Sequence, residues 1–182
     1  MNDRDEIVLD LTNVVDEARA AFDRLSCDQL NWKPSQDGWS VAQCLDHIRL
    51  TNEQLTAEIE RKIAGETNSF WESWSPFSGY LGGFLLKSMK ADGRKFKAPS
   101  ETIVPPSDLP GDIVDRFGAN IADVKDVVER AKVLDPKRTV LTSPFMPMMT
   151  YRLDDALAII AEHTKRHIRQ AKRVLETEGF PR

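Results

Sequence analysis

This sequence predicts an all-α protein, a four-helix bundle, on three observations. Four long apolar stripes recur at the 3.6-residue helical period, period-2 alternation is scarce, and caps and breakers stand where the stripes end. With 182 residues, 41% hydrophobic and 30% charged, the chain has the length and composition of one globular domain, 1–182.

The first stripe is Ile7, Leu11, Val14, Val15, Ala18, Phe22 and Leu25, stopped by the polar cluster and Pro34 of "SCDQLNWKP". The second opens at "QDGWSVAQCLDHI". Ser40 with Gln43 three residues later is a capping box, and Trp39 against Cys44 is placed as a hydrophobic staple. This helix should run from about Val41 to Ile63 and end before Gly65. The third stripe is Ile113, Val114, Phe117, Ile121, Val124 and Val128, behind Pro110 and Asp112, with Gly118 a weak point inside it. The fourth begins near Tyr151, with Thr150 a candidate cap and Asp154 and Asp155 suited to the positive helix end, and continues to about Glu176. No regular strands are expected, and the short link between the first two helices makes them antiparallel neighbours.

The connection from 65 to 110 is too long for a turn and carries structure of its own. It holds Phe70, Trp71, Trp74, Phe77, Tyr80, Phe84 and Phe96. Their first reading is a satellite core under a long loop; the second is a lid or pocket wall. Lys87, Lys90, Arg94, Lys95 and Lys97 follow, either as a solvated face or as a site for an anion.

A net charge of -4 argues against sequence-independent binding to nucleic acid, which needs a basic surface. Small molecules and proteins fit better as partners. No signal-peptide pattern or membrane-length apolar run is present, so a soluble, cytoplasmic protein is expected. Cys27 and Cys44 make no disulfide framework and read as small apolar packing groups.

In "LAIIAEHTKRHIRQAKRVLE", His167 shares an angular sector with Leu153, Ile160, Ala171 and Val174, and His163 lies about 40° away on the same face. Histidines at i and i+4 aim their ring nitrogens in one direction, as a metal ion requires. His47, on the shoulder of the second stripe, can reach a neighbouring helix. Three inward rings would have to satisfy six nitrogens away from water, and one divalent ion would accept one from each. The spacing leaves both a hydrogen-bonded core and a metal site open.

"WSVAQCLDHI" and "EHTKRHIRQA", with the "NWKP" lead-in, resemble the Trp-Ser…His and His-x-x-x-His-x-x-Gln segments of the DinB/YfiT-like superfamily. The resemblance covers essentially the whole chain. It implies an up-down-down-up four-helix bundle, a divalent metal such as zinc or nickel held by His47, His163 and His167, and frequent homodimers. Members of that superfamily include bacillithiol S-transferases and mycothiol-dependent maleylpyruvate isomerase, and others carry the label metal-dependent hydrolase. The long aromatic connection departs from the pattern, and with it any substrate specific to one relative.

Three neutral imidazoles leave an ion its full charge and an open position, the pattern of a catalytic zinc site. A low-molecular-weight thiol held there as cosubstrate gives S-transfer to a small electrophile; water there gives hydrolysis. A non-catalytic metal- or ligand-binding stress-response protein is the third reading. Gln170 is placed to orient a ring or touch a ligand, and Asp46, Glu53 and Glu162 lie near enough to support the rings. Cys44, three residues before His47, is a competing soft ligand, with core packing the preferred reading. No general base is assigned.

Overall fold

The computed structural model describes residues 3–75, 78–90 and 100–182. Its main helices are α1 (Asp3–Phe22), α3 (Val41–Ile63), α6 (Ile113–Arg130) and α7 (Leu153–Leu175); the shorter α2 (Cys27–Asn31), α4 (Phe70–Trp74) and α5 (Ser78–Lys90) lie between them. Local chemistry explains the best-defined boundary. Ser40 caps α3 by accepting from the Gln43 N–H, while the Gln43 side chain accepts from the Ser40 N–H. At the other end Gly65 takes φ 100°, which only glycine adopts at low cost, and Glu66 N–H closes the turn on the Arg61 carbonyl.

The four long helices pack around one core in which Leu11, Phe22, Leu45, Ile48, Phe117 and Ile121 are almost wholly buried. α1 packs against α6 and α7, and α3 against the same two helices. α1 and α3 therefore occupy opposite corners. The expectation that they are antiparallel neighbours is corrected: connection 23–40, with α2 inside it, is long enough to cross a diagonal of about 13 Å, given interaxial spacings of about 8–10 Å.

Two three-residue strands also form, β1 (Val140–Thr142) and β2 (Thr150–Arg152), paired antiparallel with Leu141 opposite Tyr151. Strands this short show no readable alternation, which is why the sequence suggested none. Thr150 is consequently a strand residue rather than a cap. Arg152 holds the N-cap position of α7 without a side-chain cap bond.

Among the described residues of the connection between α3 and α6, four of the five aromatics face solvent instead of forming a satellite core, and Trp71 is half-buried. Phe70, Trp74, Tyr80 and Phe84 are 83%, 65%, 72% and 61% exposed, while Glu72 and Ser78 face inward. Phe77 and Phe96 lie outside the described residues, as do Arg94, Lys95, Lys97 and the side chain of Lys90; Lys87 is exposed. Polar bonds anchor this region. Buried Lys62 pairs with buried Glu72 at 2.8 Å, and Glu72 also accepts from the Ser69 N–H and the Thr142 hydroxyl. α5 meets α7 where Gly82 passes Asp155, too close for any side chain on Gly82. Among the described residues, no helix is long and apolar enough to cross a membrane.

Candidate metal centre

The N-terminal half of α3 is buried almost continuously, because it faces both α6 and α7 and lies under segment 100–105. His47 stands in this stretch and is 3% exposed. It meets the i, i+4 pair of α7. Ring centroids are 5.0 Å apart for His47 and His163, 4.6 Å for His47 and His167, and 4.5 Å for His163 and His167. The three rings thus converge, with one potential ligand nitrogen from each lying within 4.8 Å of the others.

The burial order differs from the helical-wheel expectation. His163 is 8% exposed and His167 only half-buried. Both rings lie within the broad arc that α7 buries, which includes Ile159, Ile160, Thr164 and Ile168, so angle around the helix does not set their difference in exposure.

Nδ1 of His47 lies 2.6 Å from the Ile103 carbonyl and so carries the proton, leaving the lone pair on Nε2, where it can accept from His163 or bind an ion. That Nε2 is 3.2 Å from Nε2 of His163. Two nitrogens bound tetrahedrally to one ion at about 2.0–2.1 Å stand roughly 3.3 Å apart, so the spacing fits an ion between them. Nδ1 of His163 and of His167 is buried with no hydrogen-bond partner among the described residues. Two of the cluster's six ring nitrogens thus have no partner among the described residues.

All three rings are held neutral. Burial pushes His47 down, against the opposing pull of the Ile103 carbonyl and Asp46. Burial, then the neighbouring His47 and Arg166, pushes His163 down to about 3. Burial, then His163, His47 and Arg166, pushes His167 well below the usual imidazole range, with Gln170 acting in the opposite sense. Neutral imidazole is the form that binds a metal.

Trp39 covers the cluster rather than simply stapling the helix. Its indole lies 4.7 Å from the His47 ring and 5.9 Å from the His167 ring, nearly parallel to the latter. Cys44 is fully buried, stands outside the cluster, and has its thiol pushed up to about 12 by burial, with Arg173 opposing. It is a packing residue. Cys27, expected to pack likewise, is exposed, with Sγ 3.7 Å from the Leu109 carbonyl.

The three nearby carboxylates are engaged by cations instead of the rings: Asp46 and Glu53 by Arg49, Glu162 by Lys165. The ring's supporting acceptor is the Ile103 carbonyl, which sequence reasoning missed because every residue carries a carbonyl. No side-chain signal marks it.

A search of curated proteins gives no match. Among solved structures the chain is similar to YfiT from Bacillus subtilis, described as a probable metal-dependent hydrolase with an unusual four-helix bundle topology, at 15% identity and a TM-score of 0.55. The likeness covers 98% of this chain and 89% of YfiT, and supports the fold. The family model of the DinB superfamily matches residues 10–171, and the chain belongs to that superfamily.

Proposed function

We propose that this protein is a metal-dependent enzyme in which His47, His163 and His167 hold one divalent ion, zinc or nickel, for transfer of a thiol to a small electrophile. The observation that carries the metal reading is the convergence of three neutral rings with two Nε2 atoms 3.2 Å apart. A divalent ion on three neutral nitrogens supplies a Lewis-acidic open position that lowers the pKa of a thiol or water arriving there. The chain's own residues orient and shield: Ile103 holds the His47 tautomer, Gln170 steadies His167, and Trp39 closes one side of the cluster.

The choice of thiol over water rests on the missing base. Among the described residues no carboxylate joins the cluster. A thiol, with a pKa of about 8.5, loses its proton with far less help than water, at about 15.7. Hydrolysis is the second reading, favoured by the description of YfiT. Assembly as a homodimer and a cytoplasmic setting belong to the same proposal, drawn from the superfamily and from two unpaired cysteines.

The test begins with untagged protein loaded with zinc, nickel or cobalt, where one equivalent per chain is expected. Less than a tenth of an equivalent would sink the metal reading. Loaded and stripped protein are then compared with bacillithiol, mycothiol, glutathione or coenzyme A and monochlorobimane. Metal-dependent conjugation is expected. Cleavage of a simple ester or amide without any thiol conjugation would replace transfer by hydrolysis.

A further inference from the structure

Segment 100–105 crosses α3 beside His47, and its backbone, not any carboxylate, supports the ring. We propose that this strap is a positioning element of the metal centre and Ile103 its positioning residue, an inference that rests on the metal reading above.

Four features build the strap. Ser100 accepts from the Thr102 N–H and starts a 3-10 turn, Glu101–Ile103, which directs the Ile103 side chain into the protein, where it is 2% exposed. The Ile103 carbonyl then faces His47 Nδ1 at 2.6 Å. Val104 leaves the turn extended, at φ -88° and ψ 115°, the conformation imposed on a residue before proline, and Pro105 and Pro106 stiffen the exit. Polar bonds to α3 hold both sides: Gln54 Nε2 donates to Thr102 Oγ1 at 3.2 Å, and Gln43 Nε2 donates to the Pro105 carbonyl at 3.5 Å.

This arrangement decides which nitrogen of His47 is available. A carbonyl cannot donate, so it accepts only from the Nδ1–H tautomer, and the lone pair must then sit on Nε2, facing His163. His163 and His167 have no such backbone support: their Nδ1 atoms lack partners among the described residues, and a side chain, Gln170, is what steadies His167. They are preorganised by their shared helix instead. His47 comes from a different helix and depends on the strap for tautomer and ring rotation. Gln43 links the two levels, because the same side chain completes the α3 capping box and reaches the strap.

The test compares wild type with Ile103→Ala, with Ile103→Val as the conservative rescue and Gln54→Ala/Thr102→Ala as a surface variant that leaves the core untouched. Ile121→Ala, an equal truncation in α6, controls for general loss of stability. Two readouts are taken: the His47 tautomer in metal-free protein by nitrogen-15 NMR, and the zinc dissociation constant by chelator competition. Wild type and Ile103→Val should show His47 as the Nδ1–H tautomer. Ile103→Ala should mix the tautomers and weaken zinc binding about 10- to 100-fold, the usual cost of losing a ligand's supporting partner. The surface pair should shift both readouts in the same direction by less, and decides the matter if Ile103→Ala does not fold. Ile121→Ala should leave both unchanged. A wild-type His47 in the Nε2–H form overturns the proposal, as does unchanged zinc affinity in the folded strap variants or an equal loss in Ile121→Ala. A wild-type Nδ1–H tautomer with no zinc bound refutes the metal reading instead, and the strap's role in a metal centre goes with it.

Discussion

The histidine cluster and the Lys62–Glu72 pair are both polar groups taken out of water near opposite ends of α3, yet they are finished differently. Lys62 donates to the Thr67 carbonyl and to Glu72, and both carboxylate oxygens of Glu72 accept from the protein. Nothing in that pair is left to offer a ligand. In the histidine cluster, the Nδ1 atoms of His163 and His167 have no partner among the described residues, and the Nε2 atoms of His47 and His163 face each other. A satisfied buried pair locks elements together; an unsatisfied one spends stability on a site. The first ties α4 and β1 to α3, and the second leaves two ring nitrogens without a partner among the described residues.

The largest effect should come from breaking the finished pair. Lys62→Met leaves Glu72 buried without its cation and should cost about 3–5 kcal/mol in urea unfolding. His163→Leu, in contrast, removes a ring with an unpaired nitrogen and should leave metal-free protein as stable as wild type or more so. If both substitutions destabilise metal-free protein equally, the contrast between the two clusters is wrong.

Zinc should supply the next largest difference. At a free concentration 100 times the dissociation constant it should stabilise wild type by about 2.7 kcal/mol and do nothing for His163→Leu or His167→Ala. Thermal melts at matched zinc concentrations make the measurement. Equal shifts in all three proteins would place the ion elsewhere.

Acid should separate the clusters again. The histidine pKa values are depressed on folding, so between about 6.5 and the folded values the unfolded chain binds more protons, and stability is lost as pH falls through that window. The slope should reach about 1.4 kcal/mol per pH unit for each ring involved. For His163 this window runs down to about 3. Burial alone would raise Glu72, but the bonds from Lys62, Ser69 and Thr142 outweigh it and hold the carboxyl below its usual value. Its contribution is therefore complete above the unfolded glutamate pKa and fades only as pH falls through the lower folded one. Metal-free wild type should lose stability in two stages, and His163→Leu should flatten the first.

The smallest effect is expected at Gln170. Its side chain bonds His167 and is not one of the three rings that converge, so Gln170→Ala should retain the metal that His167→Ala loses. Metal analysis of both variants, with circular dichroism to confirm folding, tests the ranking.

The readable parts of this protein were those coded by neighbours in sequence. Ser40 and Gln43 are three residues apart and mark the start of α3 by themselves; Gly65 marks its end; His163 and His167 share a face because they are one turn apart. The superfamily resemblance joined His47 to that pair, and the structure brings the three rings together. Other features carried no local code. The aromatics at 70, 74, 80 and 84 suggested a satellite core by composition, but side-chain type does not say which way a helix in a long connection will face.

The amino-acid sequence alone determined the four long amphipathic helices, the capping box of α3 and the i, i+4 histidines, because periodicity and capping are short-range properties of the backbone. Only the tertiary structure decided that α1 and α3 stand at opposite corners, that His163 lies deeper than His167, and that the Ile103 carbonyl selects the His47 tautomer. Those outcomes depend on which distant surfaces meet. A backbone carbonyl, present at every residue, acquires a role only from where the folded chain puts it.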